Sequence, residues 1–344
     1  MRGAFRNQAG LFSYLSLEER VPERHPLRNI RELVRAVLVD MTKDFAALYS
    51  DEGRPSIPPE QLLSALLLQA FYGLRSERQL MEQLDYNLLF RWFVGLSPDA
   101  PVWVPTTFTK NRERLQDGDV FQRFMQTLLN HPRVKPLLSD EHFSVDGTLI
   151  EAWASFKSFK PKDGSEKSDG SDFHNQRRSN ETHASQSDPD SRLDRKAQGR
   201  EAKLCYMGHA LMENRNGLAV GAQVTLASGT AEREATVGED KAYDAEDHGK
   251  NLREMNVTPH VAQNNATTKT GKQRKTIVDD ATAAGEAYGI SQRRRKMIEC
   301  LFGWGKQHGT MRKTKHRGMA AVAGDFLINI IAYNLIRIPQ LLVA

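Results

Sequence analysis

Lys203 to Met212 (KLCYMGHALM) and Leu218 to Ala227 (LAVGAQVTLA) stand on either side of Glu213-Asn214-Arg215-Asn216-Gly217. Two apolar runs of strand length separated by a short polar stretch that ends in Asn-Gly predict a β-hairpin. Upstream, His142 to Val145 reads as a short strand ending in Asp146. Downstream, a further short strand ends at Asp240, Thr258 to Ala262 supplies another, and a helix follows over Gln292 to His308 and bears Glu299. Strands interleaved with helices, with acids at strand ends, predict an α/β or mixed domain over residues 136–344.

Ahead of Pro136 the pattern changes. Leu62, Leu63, Leu66, Leu67, Ala70 and Phe71 recur at helical spacing after Pro59 and stop at Gly73. Ser76 with Gln79 forms a capping box before Leu80 and Leu84. A helix over Asn87 to Val94 follows, and another, Phe108 to Leu115, is expected to expose Lys110, Arg112 and Arg114 beside Asn111. Residues 1–135 thus read as a helical N-terminal domain, either a helix-turn-helix DNA reader or an oligomerisation bundle.

Two stretches look poor in core. Residues 157–202 have few large apolar side chains beyond Phe159, Phe173 and Leu193 and are expected to form a flexible polar insertion. Residues 264–290 read as a polar loop. Met319 to Val343 is apolar, but Asp325, Asn329, Asn334, Arg337 and Pro339 interrupt it, so a buried helix is expected and no membrane partner. Trp153, Trp304 and Tyr243 could stack on flipped or frayed bases, but core is the better reading for each.

The charge is uneven. Of 344 residues, 48 are Lys/Arg and 43 Asp/Glu, giving +5. Residues 293–318 alone hold nine Lys/Arg and one acid, a net of +8, which leaves the rest of the chain slightly acidic at −3. A cationic run interleaved with Phe302, Trp304 and Met311 points to a polyanion, phosphate above all. Cys205 and Cys300 have neither disulfide-framework nor zinc-finger spacing. No secretory signal opens the chain, and a reducing, cytoplasmic setting is expected. No G-x-x-x-x-G-K-[ST] loop occurs, so no nucleotide cofactor is expected.

Asp146 and Asp240 at strand ends and Glu299 on a basic helix make an ordered set of three carboxylates. At 100° per residue, Arg295, Glu299 and Lys306 fall within about 40° on one helix face. Three such acids suit two hard divalent ions, which activate an attacking oxygen and stabilise a leaving one in phosphoryl transfer. Taken singly, each acid is as well explained by a turn, a cap or an i,i+4 pair.

The order Asp146, Asp240, Glu299, with Arg295-x3-Glu299-x6-Lys306, resembles the DDE transposases of bacterial insertion sequences that carry a Tyr-x2-Arg-x3-Glu-x6-Lys signature. Val237 to Asp244, Phe302-Gly303-Trp304, Arg312 to Gly318 and Ala332-Tyr333-Asn334-Leu335 resemble further segments of that family, and residues 58–115 its helical domain. Gln292 stands where the signature has Tyr. The resemblance implies a ribonuclease-H-like catalytic core with Asp146, Asp240 and Glu299 as catalytic metal ligands for Mg2+, with Mn2+ as a substitute. It implies phosphate contacts from Arg295 and Lys306; Arg312, Lys313, Lys315 and Arg317 extend the DNA-binding set. The implied partner is double-stranded DNA, at element ends and target, bound by a homodimer acting at the nucleoid. A metal-dependent nuclease without strand transfer and a non-catalytic DNA-binding protein are the alternatives.

Overall fold

The computed structural model describes residues 14–49, 52, 56–139, 142–163, 178–196, 199–227 and 278–343. Eight helices open the described chain: α1 (Leu17–Arg20), α2 (Pro26–Asp40), α3 (Thr42–Ala46), α4 (Pro59–Tyr72), α5 (Glu77–Tyr86), α6 (Leu88–Val94), α7 (Pro105–Asp117) and α8 (Val120–Asn130). Their ends follow local chemistry. Proline sits in the first turn of α2, α4 and α7, where its missing N–H costs nothing. Ser76 Oγ accepts from Gln79 N, and Asn87 Oδ1 from Leu89 N and Phe90 N. Gly73 ends α4 at φ +60°, with the His308 carbonyl 2.7 Å from where a Cβ would stand. Any side chain there would be strained twice over.

The strands are β1 (Phe143–Glu151), β2 (Phe159–Pro161), β3 (His183–Ser185), β4 (Arg192–Asp194), β5 (Lys203–Glu213) and β6 (Ala219–Leu226). β5 is central: β1 pairs antiparallel along one side, and β6 with short β4 along the other. β2 and β3 form a separate pair. The hairpin is where the sequence predicts it. Buried Glu213 organises its turn by accepting from the backbone N–H groups of Arg215, Asn216 and Leu218 at 2.9 to 3.0 Å, and Gly217 takes φ +69°.

Four helices complete the described chain: α9 (Asp280–Ala284), α10 (Glu286–Arg294), α11 (Lys296–Gln307) and α12 (Met319–Val343). α12 packs on β6 and also on α2, α4, α7 and α8, so one apolar core runs from the helical region to the sheet. It is long and apolar enough to cross a membrane, yet 67% of its most apolar window is buried inside the protein. The polar residues that interrupt it have partners. Asn334 accepts from Ala219 N at 2.9 Å and donates to Ala219 O at 2.7 Å; Asn329 does the same with Thr310 N and Oγ1 at 2.9 and 2.7 Å.

The structure corrects several expectations. β1 runs on to Glu151, so Asp146 is within the strand and not at its end. Residues 157–202 are not wholly a flexible insertion. Asn180 bonds Leu193 N and O, β4 joins the sheet, and buried Asp188 accepts from Tyr206 Oη at 2.5 Å and from Gly318 N. Polar side chains satisfy backbone groups there, a source of order that apolar content does not reveal. The polar loop 264–290 gives way to helix from Asp280, capped by Asp279. The helix expected over Gln292 to His308 divides at Arg295, where Ile298 N bonds three residues back instead of four. Arg112 is buried, paired with Glu77, and not exposed. The strands expected to end at Asp240 and over Thr258 to Ala262 lie outside the described residues.

Candidate functional site

Alternation along β1 puts Ser144, Asp146, Thr148 and Ile150 on one face. The register sets Asp146 opposite Ala210 and Ala210 opposite Ala222, so its lateral neighbours are small. Gly208, on the same face, would meet Phe326 of α12 if it had a Cβ, which identifies this as the helix-covered face. Asp146 is half-buried and its Oδ1 accepts from Gly147 N at 2.8 Å.

α11 crosses β1 on that face. Ile298, Leu301, Phe302 and Gly305 are buried and hold it down, which leaves Glu299 exposed. Gly305 admits Met311, whose Sδ lies 2.2 Å from where a Cβ would be. Lys306 is half-buried. Burial holds its ammonium below the usual lysine range, repulsion from Lys196 and Arg312 adds to this, and attraction to Asp146 opposes it. The helix face that brings Lys306 into the field of Asp146 carries Glu299 two turns earlier, about 10 Å along the axis. Asp240 lies outside the described residues, and among the described residues no three Asp, Glu, His or Cys side chains gather as a metal-binding group.

The basic loop between α11 and α12 is tethered throughout. Thr310 Oγ1 bonds Asp325. Lys313 pairs with Glu151 at 3.0 Å, flanked by backbone bonds from Glu151 N to Arg312 O and from Thr314 N to Glu151 O. Lys315 donates to Gln69 of α4 at 3.3 Å and lies 4.0 Å from Glu77 of α5. Burial brings its pKa down to about 8. His316 is pushed to about 2, by burial first and then by Lys315 and Arg112. Asp188 accepts from Gly318 N and Asp190 from Met319 N at 2.9 Å, capping α12. Arg312 and Arg317 are exposed. Of the sequence-predicted cations, then, Lys306 feels both Asp146 and Arg312, Lys313 is paired with Glu151 and partly exposed, Lys315 is held inward, Arg312 and Arg317 face solvent, and Arg295 marks the break between α10 and α11.

Sequence reading missed Lys196, just beyond β4, and Glu151, which anchors both Lys313 and Lys203. Nothing local announces either, because Lys306, which Lys196 repels, is 110 residues away, and the partners of Glu151 are 52 and 162 residues away. Trp153, expected in core, is 53% exposed. It stands two residues past Glu151, the last residue of β1.

A family model described as Transposase domain (DUF772) matches residues 15–114, which span α1 to most of α7. A second, described as Transposase DDE domain, matches residues 249–339, which include Arg295, Glu299, Lys306, Arg312 and Arg317. Asp146 and Asp240 precede that match. No curated protein matches the chain at a significant level. One solved structure, a piggyBac transposase synaptic complex with hairpin DNA seen by cryo-EM, is 10% identical over 90% of this chain and 74% of that one. Its TM-score of 0.38 is too low to rest an argument on. The two family models between them cover more than half of the 344 residues, and the chain belongs to the DDE transposases of insertion sequences.

Proposed function

We propose that this transposase binds the terminal inverted repeats of its element, cuts the DNA at the ends and joins the freed 3′ ends to target DNA. The observation that carries the reading is that Lys306 of α11 interacts electrostatically with Asp146 of β1 and with Arg312 and Lys196, while the same helix face bears Glu299. β1, β5 and β6 with α11 over β1 also support a ribonuclease-H-like core. In this reading residues 1–135 serve DNA binding and dimerisation, residues 136–344 serve catalysis, and a homodimer pairs two ends.

The donor chemistry of Asp146, Asp240 and Glu299 fits a hard cation such as Mg2+, which takes few protein oxygens and keeps several waters. Bound there, such ions would supply activation of the attacking oxygen and stabilisation of the leaving one. The chain's own part is to hold the DNA. Lys306 is attracted by Asp146 and repelled by Arg312 and Lys196, and a phosphodiester would relieve that repulsion. Arg295 and Arg317 flank them. Lys313 and Lys315 add positive field and, through Glu151, Gln69 and Glu77, fix the loop's shape.

Excision in cells, from a plasmid carrying the gene and its flanking DNA, tests the reading. Loss in each of Asp146→Asn, Asp240→Asn and Glu299→Gln is expected. Excision that persists in any of them would remove that acid from the site, and strand-transfer products separate transposition from simple cleavage.

A further inference from the structure

Just past β1, two large aromatics face solvent. Trp153 is 53% exposed and Phe156 47%. Each carries a cation on its ring: Lys313 Nζ lies 5.7 Å from the Trp153 centroid and the Arg178 guanidinium 5.3 Å from that of Phe156. Such pairs are favourable on their own. These two also set positive charge beside flat apolar faces, with exposed Lys157 next to Phe156 and exposed Arg312 next to Lys313. Behind the patch the chain is held firmly. Ala152 N donates to Leu204 O at 2.8 Å, Glu151 grips the basic loop, and Phe156 packs on buried Phe159, which stacks on His183.

We propose that Trp153 and Phe156 form a platform on which unpaired DNA bases stack, with Lys313, Arg178 and Lys157 following the backbone. The proposal rests on the DNA-acting reading above and adds a second contact to it. Aromatic rings beside cations are the means by which proteins hold single strands without reading sequence. Bases within a duplex are already stacked, so an exposed indole face has something to gain only from a base that is out of the helix. A second copy of this chain suits the patch poorly, since an isologous contact would set Lys157, Arg178 and Lys313 against themselves. Seven residues of extended chain put Trp153 at most about 24 Å from Asp146. At 3.4 Å per base step, that lies within about seven nucleotides of the bond under attack.

The test is fluorescence anisotropy of the full chain with a labelled dT12 strand and a labelled 12-base-pair duplex. Trp153→Ala and Phe156→Ala are each expected to weaken dT12 binding about 5- to 150-fold, the range for a lost base–aromatic stack, while Trp153→Phe keeps most of it and duplex affinity stays within about twofold. Unchanged dT12 affinity in both alanine variants, or an equal fall on duplex, would overturn the platform. A shift from dimer to monomer in sedimentation of Trp153→Ala would overturn it in favour of a subunit contact. Wild-type protein that binds duplex but not dT12 sinks the platform alone. Protein that binds neither sinks the DNA-acting site as well.

Discussion

Glu151 and Lys313, 162 residues apart, are joined twice: Oε1 accepts from Nζ at 3.0 Å, and their backbones form a parallel bridge. Burial pushes the Glu151 carboxyl up, but the hydrogen bonds from Lys313 and then Lys203 outweigh it and hold the group below its usual range. The end of the strand that bears Asp146 is thus tied to the basic loop. Glu151→Gln should cost little global stability, roughly 0.5–1 kcal/mol, since both partners are partly exposed. It should nonetheless speed amide exchange at residues 312–315 several-fold. Unaltered exchange there would show that the backbone bridge suffices.

Asn334→Ala removes the partner of both buried backbone groups of Ala219. A loss of about 2–4 kcal/mol in urea unfolding is expected. A loss below 1 kcal/mol would mean that β6 shifts to satisfy itself.

Arg112 and Glu77 are a buried pair, with side chains about 10% and 15% exposed. Among the described residues, Glu77→Ala leaves the guanidinium with only Glu113 at 3.7 Å and should cost roughly 3 kcal/mol, whereas Glu77→Ala with Arg112→Met should recover much of it. Thermal melts of the two variants decide.

His209 on β5 is 3% exposed and shares a 2.8 Å hydrogen bond with Thr225 Oγ1; burial lowers its pKa from 6.5 to about 4. Between those values the unfolded chain binds the extra proton, so stability is full above pH 6.5 and falls as pH drops towards 4, by at most roughly 3 kcal/mol. His209→Gln should lose that part of the acid sensitivity. Equal slopes for wild type and variant in melts at pH 7 and pH 5 would refute it.

Lys306→Ala and Arg312→Ala should each lower the slope of log binding constant against log salt on duplex DNA by about one unit. Lys315→Ala, already committed to Gln69 and Glu77, should leave the slope unchanged and lower stability instead. A slope that falls for Lys315→Ala would place its ammonium on phosphate.

Much of this was legible where the signal is local. Proline and glycine fixed helix ends at Pro59 and Gly73, Asn216-Gly217 fixed the hairpin, and Asn329 and Asn334 marked α12 as a core helix and not a span. Legibility failed where long-range pairing decides. Arg112 looked exposed because Glu77 lies 35 residues away, and residues 178–196 looked structureless because Asn180 and Asp188 order them through hydrogen bonds that leave no apolar trace. At the site, the order of Asp146 and Glu299 and the basic run could be read, but that Lys306 feels the charge of Asp146 depends on how α11 packs on β1, which no periodicity states.

α12 emerges from the ribosome after every element it packs against. Until it arrives, α2, α4, α7, α8 and β6 lack the element that covers their apolar faces. The core that the helical region and the sheet share is therefore completed only once α12 has been made. A frameshift or stop codon ahead of Met319 should yield a chain that proteases clear.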